Sequence, residues 1–483
     1  MALKRNLAWT TLGQVGFFVV QFSGSVVLAR LLSPRDMGVY AVAAAVVGVL
    51  SLIEGLGLRS YVVREVEFGA REAATAFTVH AVFSVLLSTA IVCAGLVSGR
   101  NQDGEGVGSV LLVLSLLPLV GIFEFLPSAR LEREGRFGPL VAVGFTRSIA
   151  TTVATLALAF AGQRYLSIAY GQLSGAILGA FAVTFAGRQH VSFRLSLQSW
   201  KRISVFGGHM LTMTGAGAIA TRASELLLGK VLGLDAMGLY NRASTLNTLF
   251  FSNLHLVVGR VLFVDLAQKR REGISLRASY LLIVEMSTAA LWPVFTGLAV
   301  LAHPLFVIVY GAKWAAAATP FALLALSAVV QVAITMTVEL FTISQETGRQ
   351  VRIELIRAVV GTVLFGCGTL IGLSGAAAAR VVEWVFSFFL YRPHIERMTD
   401  TTTRDALPIY GRSAVLTLLA VGPAAALMLL APNAGTAPFW QLAAVVLAGI
   451  VLWALGLWMM RHPLYSEAVA FLQRRRVAPV AAT

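Results

Sequence analysis

Four arginines stand inside stretches otherwise apolar enough to cross a bilayer: Arg147, Arg222, Arg242 and Arg380. A guanidinium held at membrane depth costs about 2.5–3.5 kcal/mol even on the mildest insertion scale, so each must face protein or water. One way to offset that cost is a local ion pair. Glu383 lies one helical turn from Arg380, and Glu225 lies one turn from Arg222. Arg147 has no acidic residue within one turn, and Arg242, near the end of its apolar stretch, is placed to snorkel toward headgroups. The other way is to line a wet path for an anionic cargo, which four positive charges favour over a cationic one.

The other titratable residues in apolar stretches are Glu54, His80, Glu124, His209, Glu225, His255, Glu285 and Glu339. Most fall within about two turns of one set of helix ends, where snorkelling or pairing with loop arginines is the default. Glu124 and Glu339 occupy comparable places, each just before a Gly-Arg turn, and suit either a gate lock or proton coupling. Glu225 is the better coupling candidate, because a carboxylate beside Arg222 could exchange H⁺ or Na⁺ as a cavity switches access. Against this stands the plain ion pair, which satisfies both groups.

Other chemistries find no residues. Cys93 and Cys367 both fall in apolar runs, which leaves neither a disulfide framework nor a thiolate metal site. The sequence has no P-loop and no H-E-x-x-H, so no cofactor or metal is expected. The outward loop Ser98 to Gly108 is short, and its Asp103 and Glu105 read as solvated loop residues. An enzyme handling sugars needs a larger extramembrane segment, so the chain reads as a non-enzyme.

The elements that must position these residues are membrane helices. Of 483 residues, 57 % are hydrophobic and 13 % charged, with a mean hydropathy of +0.80, and a soluble domain carries about 25 % charged residues. The net charge of +15 is scattered over short connections, a pattern of topology and not of nucleic-acid binding. Apolar spans are expected near 7–32, 38–58, 74–98, 107–127, 139–162, 165–186, 203–232, 238–258, 279–302, 319–343, 352–373, 375–391, 410–431 and 438–459. These make about fourteen transmembrane helices, because the runs are continuous and not alternating. Lys and Arg collect in alternate connections, placing both termini in the cytoplasm. A basic tail, Arg474 to Arg476, could touch anionic lipid headgroups.

The chain also contains itself twice. Leu28 to Ala43 aligns without a gap on Leu228 to Ala243, an offset of 200, with Met37-Gly38-x-Tyr40 matching Met237-Gly238-x-Tyr240. The Gly-Arg turns at Gly135-Arg136 and Gly348-Arg349 form a second matched pair. The expected fold is therefore an all-α integral membrane protein with two pseudo-symmetric six-helix lobes, 1–200 and 201–400, in the same orientation, followed by two additional helices and the basic tail over 401–483. That arrangement would create a cavity between two bundles. The small-residue run Gly207-Gly208 through Gly215-Ala216-Gly217 suits either a hinge or close helix packing.

The pattern Leu28-Ala29-Arg30-Leu31-Leu32-Ser33-Pro34 with Met37-Gly38-Val39-Tyr40, the turn Arg130-Leu131-Glu132-Arg133-Glu134-Gly135-Arg136, and the run Pro304 to Trp314 resemble the polysaccharide transporter (Wzx-type) flippases of the multidrug/oligosaccharidyl-lipid/polysaccharide exporter superfamily. The resemblance covers roughly residues 1–400. It implies translocation of undecaprenyl-pyrophosphate-linked oligosaccharide units across a bacterial inner membrane for polysaccharide export, by alternating access and with H⁺ or Na⁺ coupling. A polysaccharide polymerase and export machinery would be the partners beyond the membrane lipids. The cargo's pyrophosphate needs a hydrated cationic cavity, and arginine suits it because it stays charged and binds phosphate oxygens bidentately. On this basis Arg147, Arg222, Arg242 and Arg380 are cavity candidates, Glu225 the coupling group, and Glu124 and Glu339 the gate. Lipid II flippase and multidrug/cation antiporter are the alternatives within the superfamily. A polytopic polymerase or glycosyltransferase is the alternative outside it.

Overall fold

The computed structural model describes residues 16, 20–54, 57–65, 68–100, 106–190, 194–198, 200–430 and 438–466, and every regular element among them is helical. In chain order these are α1 (Val20–Leu31), α2 (Pro34–Glu54), α3 (Leu58–Arg64), α4 (Ala70–Gly99), α5 (Val107–Leu114), α6 (Leu116–Arg133), α7 (Phe137–Phe160), α8 (Leu166–Ala186), α9 (Trp200–Arg271), α10 (Arg277–Val300), α11 (Ala302–Tyr310), α12 (Ala318–Ala333), α13 (Thr337–Ile343), α14 (Thr347–Ile371), α15 (Leu373–Thr399), α16 (Thr403–Leu430) and α17 (Phe439–Met459). Ten helical stretches among the described residues are long and apolar enough to cross a membrane. They coincide with ten of the expected spans, and α1, α2 and the two parts of α9 lie where the other four are expected. The chain is thus a multi-pass membrane protein built from helices, as continuous apolar runs require when no water satisfies the backbone.

Several sequence readings fall outside the described residues: Asp103, Glu105 and the tail Arg474 to Arg476, together with the side chains of Glu54, His209, His255 and most of the small-residue run 207–216. The backbone of that run is helical.

Two expected spans are joined more tightly than the sequence suggests. The turn between 232 and 238 is not a loop but a single break in α9 at Gly233, where φ is 84°. A residue with a Cβ adopts that conformation only under strain, so one glycine ends the first helical segment and starts the second without a connecting loop.

The chain divides into two compact units, Met1–Asn241 and Arg242–Thr483. In the first, α2, α4 and α5 bury Val39, Ala43, Ile91, Val110, Leu111 and Leu114, and α7 packs along α8. Asp36 caps the start of α2 by accepting from the Ser33 backbone N–H (3.1 Å) and hydroxyl (2.6 Å), and from Arg164 Nε at 3.0 Å. The two copies of the repeated stretch meet inside this unit. A Cβ on Gly38 would collide with the carbonyl oxygen of Leu234 and lie 3.1 Å from the Gly238 nitrogen, and a Cβ on Gly238 would collide with the carbonyl oxygen of Pro34 and lie 3.0 Å from the Gly38 nitrogen. Pro34 and Leu234 are themselves repeat equivalents, so the contact reads the same from either copy.

In the second unit, α10, α13, α14, α15 and α16 enclose Tyr280, Val284, Phe341, Ile353, Tyr391 and Ile395. The last two helices belong to this core. Leu416 of α16 and Leu457 of α17 pack on Ala289 of α10. Trp453 Nε1 donates to the Ala289 carbonyl at 2.9 Å, and the Thr288 and Ser413 hydroxyls lie 2.7 Å apart. Hydrogen bonds of this kind between membrane helices are worth about 0.6 kcal/mol each, so it is packing that mainly holds α16 and α17 in place.

Candidate ligand-binding arginines

In the first unit, Arg147 of α7 finds the partner that its own helix lacks. Its Nη1 bonds both oxygens of Glu124, at 3.2 and 3.0 Å, across from α6. The structure thereby joins two residues assigned separate roles, one a cavity cation and the other a gate carboxylate. The Arg147 stem runs over α8 at Gly179, where a Cβ would stand 3.2 Å from its Cδ. Arg222 pairs with Glu225 at 2.8 Å, as the one-turn spacing predicts. Its guanidinium lies against α2 at Gly48, where a Cβ would stand 2.6 Å from Nε. Both arginines remain open despite their partners, at 45 % exposure for Arg147 and 42 % for Arg222. Among the described residues, no hydrogen bond or ion pair links one arginine–glutamate pair to the other.

The second unit treats its arginines differently. Arg380 donates to Glu383 Oε2 at 2.6 Å, and the other Glu383 oxygen accepts from Arg357 Nη1 at 2.7 Å. Arg357 also pairs with Glu354 at 2.8 Å, whose remaining oxygen accepts from the Tyr391 hydroxyl at 2.5 Å. The guanidiniums lie over aromatic rings, Arg380 over Phe365 at 4.6 Å and Arg357 over Trp384 at 5.4 Å. Two positive and two negative charges cancel, and Glu383 at the centre is 4 % exposed. The structure therefore extends the local ion pair expected for Arg380 into a chain of four charged groups, in which a lone anion would have to displace an existing partner.

Arg242 is buried, with the rings of Tyr310 and Trp314 at 5.0 and 5.5 Å from its guanidinium. Those rings come from the Pro304 to Trp314 run, so one motif of the sequence serves to hold another residue's charge. Glu339 sits in the first turn of α13 and makes no ion pair with any described residue. Sequence reasoning passed over Glu354 and Arg357, which lie near one end of an apolar span and look like interfacial charges. Their three-residue spacing was the signal available.

The fold is similar to that of the lipid II flippase MurJ in its inward closed conformation, with a TM-score of 0.77 at 14 % identity over 95 % of this chain and 99 % of that one. It is also similar to an inward-facing MATE-family multidrug resistance transporter of the MOP superfamily, with a TM-score of 0.57 at 14 % identity over 80 % and 96 % of the two chains. In sequence the chain is 28 % identical to the succinoglycan biosynthesis transport protein ExoT of Rhizobium meliloti (strain 1021) over 336 residues, which is 67 % of this chain and 66 % of that protein. It is 20 % identical to the lipopolysaccharide biosynthesis protein WzxC of Escherichia coli (strain K12) over 62 % of this chain and 61 % of that one. The chain thus matches about two thirds of the length of these relatives. Residues 27–319 match the family model described as polysaccharide biosynthesis protein, and with more than half of its length matched the chain belongs to that family.

Proposed function

We propose that the chain is a flippase that moves undecaprenyl-pyrophosphate-linked oligosaccharide units from the inner to the outer leaflet of a bacterial cytoplasmic membrane for polysaccharide export. The observation that carries this reading is the state of Arg147 and Arg222. Each is a permanently charged group inside an apolar helix, held by a single carboxylate and yet nearly half exposed. A pyrophosphate offers such a guanidinium oxygens that match its planar fork, and the existing carboxylate keeps the charge satisfied before the cargo arrives. The relatives named for succinoglycan biosynthesis transport and for lipopolysaccharide biosynthesis support the same substrate class. The likeness to MurJ supports the fold that such a transporter needs.

In this reading the two repeats, 1–200 and 201–400, are the two lobes of an alternating-access transporter, with both termini in the cytoplasm. Glu225 couples transport to H⁺ or Na⁺ through its bond to Arg222, and Glu124 and Glu339 serve the gate. Arg242 and Arg380 are proposed cavity residues that are already taken up, Arg242 by the rings of Tyr310 and Trp314 and Arg380 by Glu383. Their packing partners leave Arg147 and Arg222 as the residues that meet cargo. The chain acts without chemical catalysis, handing its cargo to a polysaccharide polymerase and export machinery.

The test is outer-leaflet exposure of the lipid-linked oligosaccharide in cells or vesicles, normalised to folded protein in the membrane. Replacing both Arg147 and Arg222 with Ala should abolish exposure. Full activity in that double variant would remove the two residues from the path, and wild-type protein with no effect on exposure would remove the flippase assignment itself.

A further inference from the structure

Where α13 gives way to α14, beside the end of α15, the second unit carries a shallow pocket of about 430 Å³ lined by Gln345, Glu346, Gly348, Arg349, Arg352 and Arg397. Three arginines and one glutamate line it. Glu346 accepts from Arg349 Nη1 at 2.7 Å and from Arg397. Arg352 pairs with no carboxylate among the described residues. Burial acts to raise the Glu346 carboxyl, but Arg397 and Arg349 outweigh it and hold the group below its ordinary range. The carboxylate is therefore ionised at neutral pH, and the pocket still keeps two positive charges in excess.

The surface next to this pocket is not solvent-facing in character. From Arg352, the residues at four, seven and eleven positions further along α14 are Ile356, Val359 and Val363, which form one stripe of the helix. All three are exposed. On a helix apolar enough to cross the membrane, such a stripe faces hydrocarbon. A cationic mouth thus opens at the head of a lipid-facing track. A soluble phosphate would use only the mouth, and an apolar molecule only the track, whereas a molecule with a phosphate at one end and an acyl chain at the other uses both. The pocket is shallow and open, and its charged lining converges on one point, which suits a single phosphate and not an extended sugar chain. Its occupant is therefore a resident lipid of the leaflet and not the transported cargo.

We propose that Arg349, Arg352 and Arg397 bind the phosphate of an anionic membrane lipid whose acyl chain lies along Ile356, Val359 and Val363. The guanidiniums supply charge and bidentate geometry, and Glu346 keeps Arg349 and Arg397 turned toward one point. The inference does not depend on what the protein transports.

The experiment uses the full chain purified in detergent and titrated with phosphatidylglycerol, phosphatidylcholine or inorganic phosphate, reading bound lipid by native mass spectrometry and the melting midpoint in parallel. Phosphatidylglycerol should bind at least tenfold more tightly than phosphatidylcholine and raise the midpoint. The Arg349→Gln/Arg352→Gln variant should lose that preference. Arg352→Gln alone keeps both bonds to Glu346, so it should fold like the wild type and weaken phosphatidylglycerol at least threefold. An unchanged preference in Arg352→Gln and in the double variant would overturn the proposal. So would equal protection by inorganic phosphate at the same concentration, which would make the pocket a site for a soluble anion. Because lipid retention is read without transport, failure here leaves the flippase reading intact, and failure of flipping leaves this one intact.

Discussion

Arg147 and Arg222 in the first unit and Arg380 and Arg357 in the second are all arginines at membrane depth, and they solve the same problem in opposite ways. The second unit encloses its pair. Glu383 bonds both guanidiniums, Glu354 and Tyr391 complete the chain, and aromatic rings cover the cations. The first unit gives each arginine one carboxylate and leaves it nearly half open. A closed network fixes helix positions, because its members cannot exchange partners without stranding a charge in low dielectric. An open pair can accept another anion while keeping its own partner. Intramembrane charge is thus a structural fixture in one place and, in the proposed reading, a binding group in the other.

The largest effect that would sharpen this contrast is Glu383→Gln, which leaves Arg380 and Arg357 without their shared carboxylate. Removing one partner of a buried ion pair costs about 3–5 kcal/mol, so folded protein in the membrane should fall steeply, measured by detergent-resistant abundance and melting midpoint. Glu124→Gln should lower the same readouts much less, since Arg147 is nearly half exposed and not enclosed. Equal losses in the two variants would erase the distinction drawn here. Next in size is the effect on transport: Arg222→Ala and Arg147→Ala should each lower oligosaccharide exposure about tenfold or more at normal abundance, and Arg→Lys should fall between, having charge without the planar fork. A Lys variant as poor as Ala would show that geometry alone matters.

A smaller change is expected for Glu225→Gln, which should alter the pH or Na⁺ dependence of flipping more than protein amount. If the dependence on both ions is unchanged in reconstituted vesicles, the bond to Arg222 is structural only. Smallest is a pH effect at the end of α17. His462 lies 3.7 Å from Glu285, which also pairs with Arg412 at 3.5 Å. Burial and, to a lesser extent, Arg412 push the imidazole below its ordinary 6.5, against the pull of Glu285. The folded state prefers the neutral ring, so its contribution is present above pH 6.5 and is lost as the pH falls from there toward the lower folded value. The melting midpoint should therefore drop modestly on acidification below 6.5, and His462→Gln should flatten that part of the curve.

The helical membrane architecture was legible because it rests on composition over windows of twenty residues, which no tertiary contact can overrule. The repeated stretch was legible because Met37-Gly38 and Met237-Gly238 keep both identity and register. The Arg222–Glu225 and Arg380–Glu383 pairs were legible from one-turn spacing on a single helix. The Arg147–Glu124 bond was not, since it depends on how α6 and α7 pack side by side. The aromatic cover of Arg242 was equally hidden, because Tyr310 and Trp314 stand about seventy positions away in sequence.

The reciprocal approach of Gly38 and Gly238 has one more consequence. In it residue i of the first copy meets residue j of the second, and j of the first meets i of the second, which is the form of an isologous dimer interface. Written into one chain, such a contact ties two positions 200 residues apart into a single mutational unit. A side chain added at either glycine drives against the other copy's backbone, and no change at the partner position can make room, because what blocks it is a carbonyl. The rest of the two repeats is free to drift, as Asp36 opposite Ala236 shows, but at this point the halves must still behave as two copies of one protein.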